Sequence, residues 1–259
     1  MLKYYQYIRN ERTKMKRQTS KGRRIALISI IGVILALVIF CVIYINDYYR
    51  ATDIVSEAIL TDENVSVLVS DDEMVFVPQA GARAGLIFYP GGKVEFSAYA
   101  PLMRELADKG ILCVLVKMPA NLAVLNMNRA DGISEAYPDI EKWYMGGHSL
   151  GGSMASSYIS KNAEDFEGLV LLGAYSTADI SNTPLDVISI YGSQDMVMNR
   201  EKYKECGSNL PVDTIEYIIE GGNHAQFGSY GAQSGDGEAT ITPEAQLKIT
   251  VEQINSFIK

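Results

Sequence analysis

The chain has 259 residues, 47% of them hydrophobic and 21% charged, which suits one domain of ordinary size plus an added segment and excludes a disordered or collagen-like polypeptide. Three cysteines and two histidines exclude a disulfide-dense miniprotein and leave little room for a histidine-rich metal site. The formal net charge of −8 argues against nucleic acid as the main partner.

That charge is split along the chain. Residues 1–24 carry nine basic side chains (Lys3, Arg9, Arg12, Lys14, Lys16, Arg17, Lys21, Arg23 and Arg24) against Glu11 alone, a net +8 that leaves −16 on the other 235 residues. They read as a polar, basic cytoplasmic tail without apolar periodicity. Residues 25–45 (IALISIIGVILALVIFCVIYI) follow, 21 residues without a charge. As a helix this run would cover roughly 31 Å, close to a hydrocarbon core of about 30 Å. Tyr44, Tyr48 and Tyr49 gather at its far end, where amphipathic rings favour the interface. The pattern predicts one transmembrane helix with the lipid bilayer as partner, its basic flank inside and everything after Asn46 outside. A cleaved signal peptide would have a shorter apolar run and a small-x-small site soon after it. Here the bulky residues 44–50 follow, and the nearest passable site, Ser56-Glu57-Ala58, lies far downstream. Phe40, where a small residue is normal, disfavours a lipid anchor on Cys41. The helix holds no acid or base and serves as an address.

Residues 46–64 read as a juxtamembrane stalk and 65–259 as the folded domain. Short β-branched runs predict strands at 65–70 and 74–77. The apolar run 85–89 (GLIFY) ends in Pro90-Gly91-Gly92 and suits a strand buried on both faces. Residues 98–109 carry an apolar stripe of Tyr99, Leu102, Leu106 and Ala107 that stops at Gly110, the mark of a helix. The alternation continues with strand 111–116, helix 121–130, strand 142–145, helix 149–160, strands 168–172 and 186–191, helix 201–206, strand 214–219 and a closing helix 243–258. Strands separated by single helices imply parallel crossovers and an α/β layer fold.

Gly147-His148-Ser149-Leu150-Gly151 fits G-x-S-x-G, with Gly146 before it and Gly152 after. A strand turning sharply into a helix would expose Ser149 at the sheet edge, with small residues on either side of the crowded turn. A serine hydroxyl needs a base, and the base needs a carboxylate to fix its tautomer. His148 lies inside the turn, where its side chain is expected to point away from the serine, which leaves His224 as the base, on a loop after strand 214–219. Two acids compete for the third role. Asp195 follows strand 186–191 and Asp179 follows the preceding strand; the glycine turn Tyr191-Gly192-Ser193-Gln194-Asp195 favours Asp195.

PGG after a strand, GGHSLGG at the turn, and GSQD followed by GGNH resemble the α/β-hydrolase superfamily over roughly residues 85–259, in its cap-less, dienelactone-hydrolase-like branch. The resemblance implies an α/β-hydrolase fold with a mostly parallel sheet, and a triad of Ser149, His224 and Asp195. It also implies an oxyanion hole made by the backbone N–H of Leu150 and that of Gly92, beside Lys93. The stretch VKMPANLAVL, residues 116–125, is similar to one found in a small subgroup of bacterial hydrolases. Dienelactone hydrolases proper use cysteine where this chain has Ser149, which weakens transfer of their substrate.

Only 13 residues separate strands 168–172 and 186–191, where many relatives insert a lid, so an open site for small or extended substrates is expected. Lys117, at the end of strand 111–116, could meet an anionic substrate group or simply be a solvated lysine; Tyr175 could wall the pocket or not. Residues 228–237 (GSYGAQSGDG) read as an ordinary loop more readily than as a flap. Cys113 is expected to be buried and inert, unbridged to Cys206. No cofactor or metal is expected. The sequence therefore predicts a membrane-anchored extracytoplasmic serine hydrolase for a small-molecule acyl substrate. The alternatives are an acyltransferase or peptidase with the same triad, or a non-catalytic binding protein on this fold.

Overall fold

A computed structural model of the 259-residue chain describes the backbone throughout and every side chain except those of residues 17–20, 22 and 25. Arg17 of the basic stretch and Ile25, the start of the apolar run, thus have side chains outside the described residues. The chain divides into two units, Met1–Asp47 and Tyr48–Lys259.

The first unit is one helix, α1 (Leu2–Asn46). The basic stretch, read as a tail without periodicity, is part of this helix. Lys, Arg, Met, Gln and Glu are all strong helix formers, and no proline interrupts them. An exposed Glu11–Lys14 pair at 3.2 Å adds a few tenths of a kcal/mol, about the usual worth of such pairs on a helix. Within α1, Ala26–Asn46 has a mean hydropathy of 3.3 and is long and apolar enough to cross a membrane.

The second unit is built on an eight-stranded sheet: β1 (Val65–Val69), β2 (Glu73–Pro78), β3 (Ala84–Tyr89), β4 (Ile111–Val116), β5 (Trp143–His148), β6 (Gly168–Leu172), β7 (Asp186–Gly192) and β8 (Ile215–Ile219). Their order is β1-β2-β4-β3-β5-β6-β7-β8. β1 and β2 run antiparallel to their neighbours, and β3 to β8 are mutually parallel. β3, β4 and β5 are buried along their whole lengths, as unbroken apolar runs require. Full burial of Leu86, Ile87 and Phe88 contributes roughly 1.5–3 kcal/mol each. Helices cover both faces. α3 (Ala100–Asp108) and α6 (Pro243–Phe257) pack over Leu86, Phe88 and Leu115, while α4 (Leu150–Ile159) packs over Ile87, Tyr89 and Met145. Two short helices, α2 (Val55–Ala58) and α5 (Arg200–Glu205), complete the set.

Two expectations are corrected. Residues 121–130 form no α-helix; Pro119–Asn121 and Ala123–Leu125 are single 3₁₀ turns, with Ala120 and Asn121 at φ 51° and 55°. Pro119 and the asparagines at 121, 126 and 128 favour local turns over a continuous helix. The segment read as a stalk is folded onto the second unit from Tyr48 onward. Tyr49 bridges Val94, its N–H bonds Lys93 O at 2.8 Å, and Val55 is buried.

The chain passes from β3 outward to β4 and then returns to the other side of β3 as β5. Strand order reverses there, so the loops after β3 and β5 diverge and open a crevice at the carboxyl ends of the strands.

Candidate active site

Ser149 stands at the tip of the β5–α4 turn with φ 52° and ψ −124°. Backbone this unusual costs of order 1–3 kcal/mol and persists only where the surroundings impose it. They do so here. A Cβ on Gly151 would lie 2.3 Å from the carbonyl oxygens of Tyr89 and Pro90, and one on Gly147 would lie 2.6 Å from the Gly151 carbonyl carbon. The Ser149 N–H is anchored to Leu172 O at 2.9 Å, while the residue itself is only half-buried.

His224 and Asp195 come together as the chain order suggested. His224 Nδ1 lies 2.8 Å from Asp195 Oδ2, and both side chains are almost wholly buried. The second Asp195 oxygen, Oδ1, accepts from the N–H groups of Val197 and Met198 at 3.0 and 2.8 Å. With every acceptor directed, the carboxylate fixes the ring so that Nδ1 carries the proton and Nε2 keeps its lone pair. Nε2 is buried and makes no hydrogen bond among the described residues. Asp179, the competing acid, is exposed and turned onto Ser181 N and Oγ; those bonds hold its carboxyl below the ordinary range.

The loop after β3 approaches the same point. A Cβ on Gly92 would lie 2.8 Å from Leu150 Cδ2, so these two residues are neighbours. Leu150 opens α4, and its N–H has no acceptor within the helix. On the other side, Gly91 N–H bonds Tyr99 Oη at 3.1 Å and Lys93 N–H bonds Asn121 O at 2.8 Å. The Gly92 N–H between them makes no hydrogen bond among the described residues. Two backbone donors on adjacent elements are what a developing oxyanion needs.

His148 has a second set of neighbours: its ring is buried, 4.4 Å from the His224 ring, and its Nδ1 is 2.7 Å from Tyr99 Oη. Strand alternation puts His148 on the face covered by the His224 loop, while the reversed φ of Ser149 carries the serine out of that alternation. Burial first, then the adjoining His224, holds His148 neutral, well below the ordinary histidine range. Burial likewise pushes the Tyr99 hydroxyl up, so it keeps its proton. Since Tyr99 Oη accepts from Gly91, its hydrogen is free to go to His148 Nδ1.

Tyr99, His148 and Gln246 are the site residues that the sequence reading missed. Gln246, wholly buried on α6, bonds both the N–H and the C=O of Asn223 at 3.0 and 2.8 Å and so fixes the His224 loop. A polar residue inside an apolar helical stripe was the available signal. Other expected residues lie less centrally. Lys93 is half-buried with φ 58°. Lys117 is exposed, with Nζ 5.8 Å over the Phe96 ring. Tyr175 lines a separate cavity of about 660 Å³ with Tyr203, Cys206 and Pro211, and Ser149 is not among its lining residues. Cys113 is buried and free, Cys206 half-buried and free; burial pushes the Cys113 thiol up.

Solved structures share this fold at low identity. The dienelactone hydrolase from Anabaena variabilis is 14% identical, with a TM-score of 0.54 over 76% of this chain and 100% of that one. Est1E from Butyrivibrio proteoclasticus is 11% identical, with a TM-score of 0.55 over 76% and 99%. TT1662 from Thermus thermophilus is 12% identical, with a TM-score of 0.56 over 75% and 98%. No curated protein sequence matches. Residues 85–248 match the alpha/beta hydrolase family, which is more than half of the 259 residues, and the chain therefore belongs to that family.

Proposed function

We propose that the protein is a membrane-anchored serine hydrolase that cleaves an ester or similar acyl bond outside the cytoplasm. The observation that carries this reading is the buried His224–Asp195 pair, with an unpaired Nε2, on the sheet edge where Ser149 is held in strained backbone. Ser149 Oγ attacks the acyl carbon and gives its proton to His224 Nε2. Asp195 stabilises the imidazolium that forms. The oxyanion takes the N–H groups of Gly92 and Leu150, each worth about 10²–10³ in turnover. Collapse expels the alcohol, protonated by His224, and leaves an acyl group on Ser149; water then repeats the sequence and frees the acid. The esterase-like neighbours support hydrolysis as the reaction class. The basic flank, together with the apolar Ala26–Asn46 stretch, supports anchoring with the N-terminus inside.

A fluorophosphonate probe is expected to modify Ser149 in the wild type and to leave Ser149→Ala unmodified. His224→Ala is expected to label at a rate lower by about 10⁴-fold. A wild-type chain that stays unlabelled beside a reactive control hydrolase would sink the proposal, and labelling that survives Ser149→Ala would assign the wrong serine.

A further inference from the structure

We infer that Asp236 is a positioning residue that sets the geometry of the His224–Asp195 pair; the inference rests on the triad reading above. Asp236 lies in the glycine-rich segment 228–237, whose sequence marks it as no more than a loop. Its carboxylate reaches the loops of both the acid and the base. Oδ1 accepts from Met196 N–H at 3.2 Å, and Met196 is the residue after Asp195. Oδ2 accepts from Ala225 N–H at 2.8 Å, and Ala225 is the residue after His224. Oδ1 also accepts from Gly237 N–H at 2.8 Å, which fixes the carboxylate on its own backbone.

Three N–H donors converge on one side chain. Only an ionised carboxylate offers two oxygens that accept and nothing that donates, and bonds to a charged acceptor are about twice as strong as neutral ones. An amide could satisfy one oxygen position but would oppose an N–H to an N–H at the other. The segment is held in place from behind, because Gly237 O accepts from Asn223 Nδ2 at 2.9 Å and Asn223 is in turn fixed by Gln246.

The two loops are already joined ahead of the pair, by Gln194 N–H to Gly222 O at 2.8 Å and by Gly221 N–H to Ser193 Oγ at 2.9 Å. Gln194 precedes Asp195, and Gly222 lies two residues before His224. Asp236 ties the loops on the other side of the pair. The Asp195–His224 bond is thus bracketed by direct loop-to-loop bonds before it and a carboxylate link after it. Those direct bonds all lie before the pair; without Asp236 the stretches after Asp195 and after His224 lose the carboxylate that joins them. A shift of about 1 Å in a catalytic group costs on the order of 10²-fold in rate, so the link after the pair bears on how His224 is presented for catalysis.

The test uses the full chain in detergent, with three readouts. The first is the rate of fluorophosphonate labelling. Asp236→Ala is expected to label about 100-fold more slowly than wild type, and the near-isosteric Asp236→Asn about tenfold more slowly, since one arm survives. Glu238→Gln, an exposed change on the same loop, is expected to label at the wild-type rate. The second is the pH dependence of that rate. A loosened Asp195 stabilises the imidazolium less, so the acid limb is expected to move to lower pH in both Asp236 variants, which a loss of global stability alone would not cause. The third is the downfield proton resonance of the His224–Asp195 bond, absent in His224→Gln. It is expected to weaken or shift in Asp236→Asn, and it reads the pair whether or not the protein labels. Wild-type labelling with an unchanged rate, acid limb and resonance in the Asp236 variants would overturn the inference alone. A wild type that does not label would overturn the triad reading, and the resonance would then decide the fate of Asp236 by itself.

Discussion

Tyr99 occupies a junction between the two halves of the proposed site, since its hydroxyl meets Gly91 N–H on the loop after β3 and Nδ1 of His148, the residue before the proposed nucleophile. Tyr99→Phe keeps a ring that packs against Phe88 and Tyr230 at 5.4 and 6.5 Å and deletes only the link. It is expected to cost about 1–3 kcal/mol in urea unfolding, the penalty for leaving a buried group unsatisfied. Labelling of Ser149 is expected to fall by about tenfold as the Gly92 donor loses its support. His148 adds a dependence on pH. Its folded value is depressed from 6.5, so below about 6.5 the unfolded chain binds a proton that the folded one refuses. The stability held above that pH is therefore lost on acidification, by up to about 1.4 kcal/mol per pH unit while the folded ring stays neutral. Unfolding of residues 48–259 at about pH 7.5 and about pH 5.5 is expected to show this slope, and His148→Gln is expected to flatten it; equal slopes would refute the assignment. The strained turn at Ser149 and the His224–Asp195 pair were legible because a glycine-flanked turn is a local pattern and only one other histidine competed. The Tyr99–His148 bond joins residues 49 apart in sequence, and Asp236 reaches back 40 residues to Met196. No local pattern encodes such closures.

At the scale of elements, legibility followed how completely a segment is buried. β3 and β4 are apolar from end to end and buried throughout, so GLIFY and ILCVLV located them within a residue. The segment after β4 could not be read in this way. Leu122, Val124, Leu125 and Met127 occur at spacings that suit a helix, yet Val124 and Leu125 are exposed and Ala123 alone of that turn is buried. Local bonds such as Asn121 N–H to Met118 O and Leu125 N–H to Leu122 O satisfy the backbone by turns. The link from Lys93 N–H to Asn121 O then uses this turn to brace the loop after β3. The helix over the basic stretch was missed for the opposite reason: without an apolar stripe it offers no periodic signal, and only its residue propensities favour it.

For the molecule as a whole, the net charge of −8 resolves into a basic helix end and an acidic α/β-hydrolase unit. If α1 is a retained anchor, the chain isolated from membranes has the mass of all 259 residues and stays with the bilayer through alkaline carbonate extraction. Release by carbonate, or a mature chain lacking the apolar stretch, would refute anchoring and leave the hydrolase proposal standing. Residues 48–259, a compact unit by itself, are expected to remain in solution without detergent and to label at the rate of the full chain. The family match begins at residue 85, but the folded unit begins at Tyr48. That difference has a mechanical side. Tyr49 is hydrogen-bonded to both Lys93 and Glu95, so tension applied to the chain at residue 47 is borne first by the segment that carries Gly91 and Gly92. Under load, the proposed oxyanion donor at Gly92 would yield before any strand of the sheet.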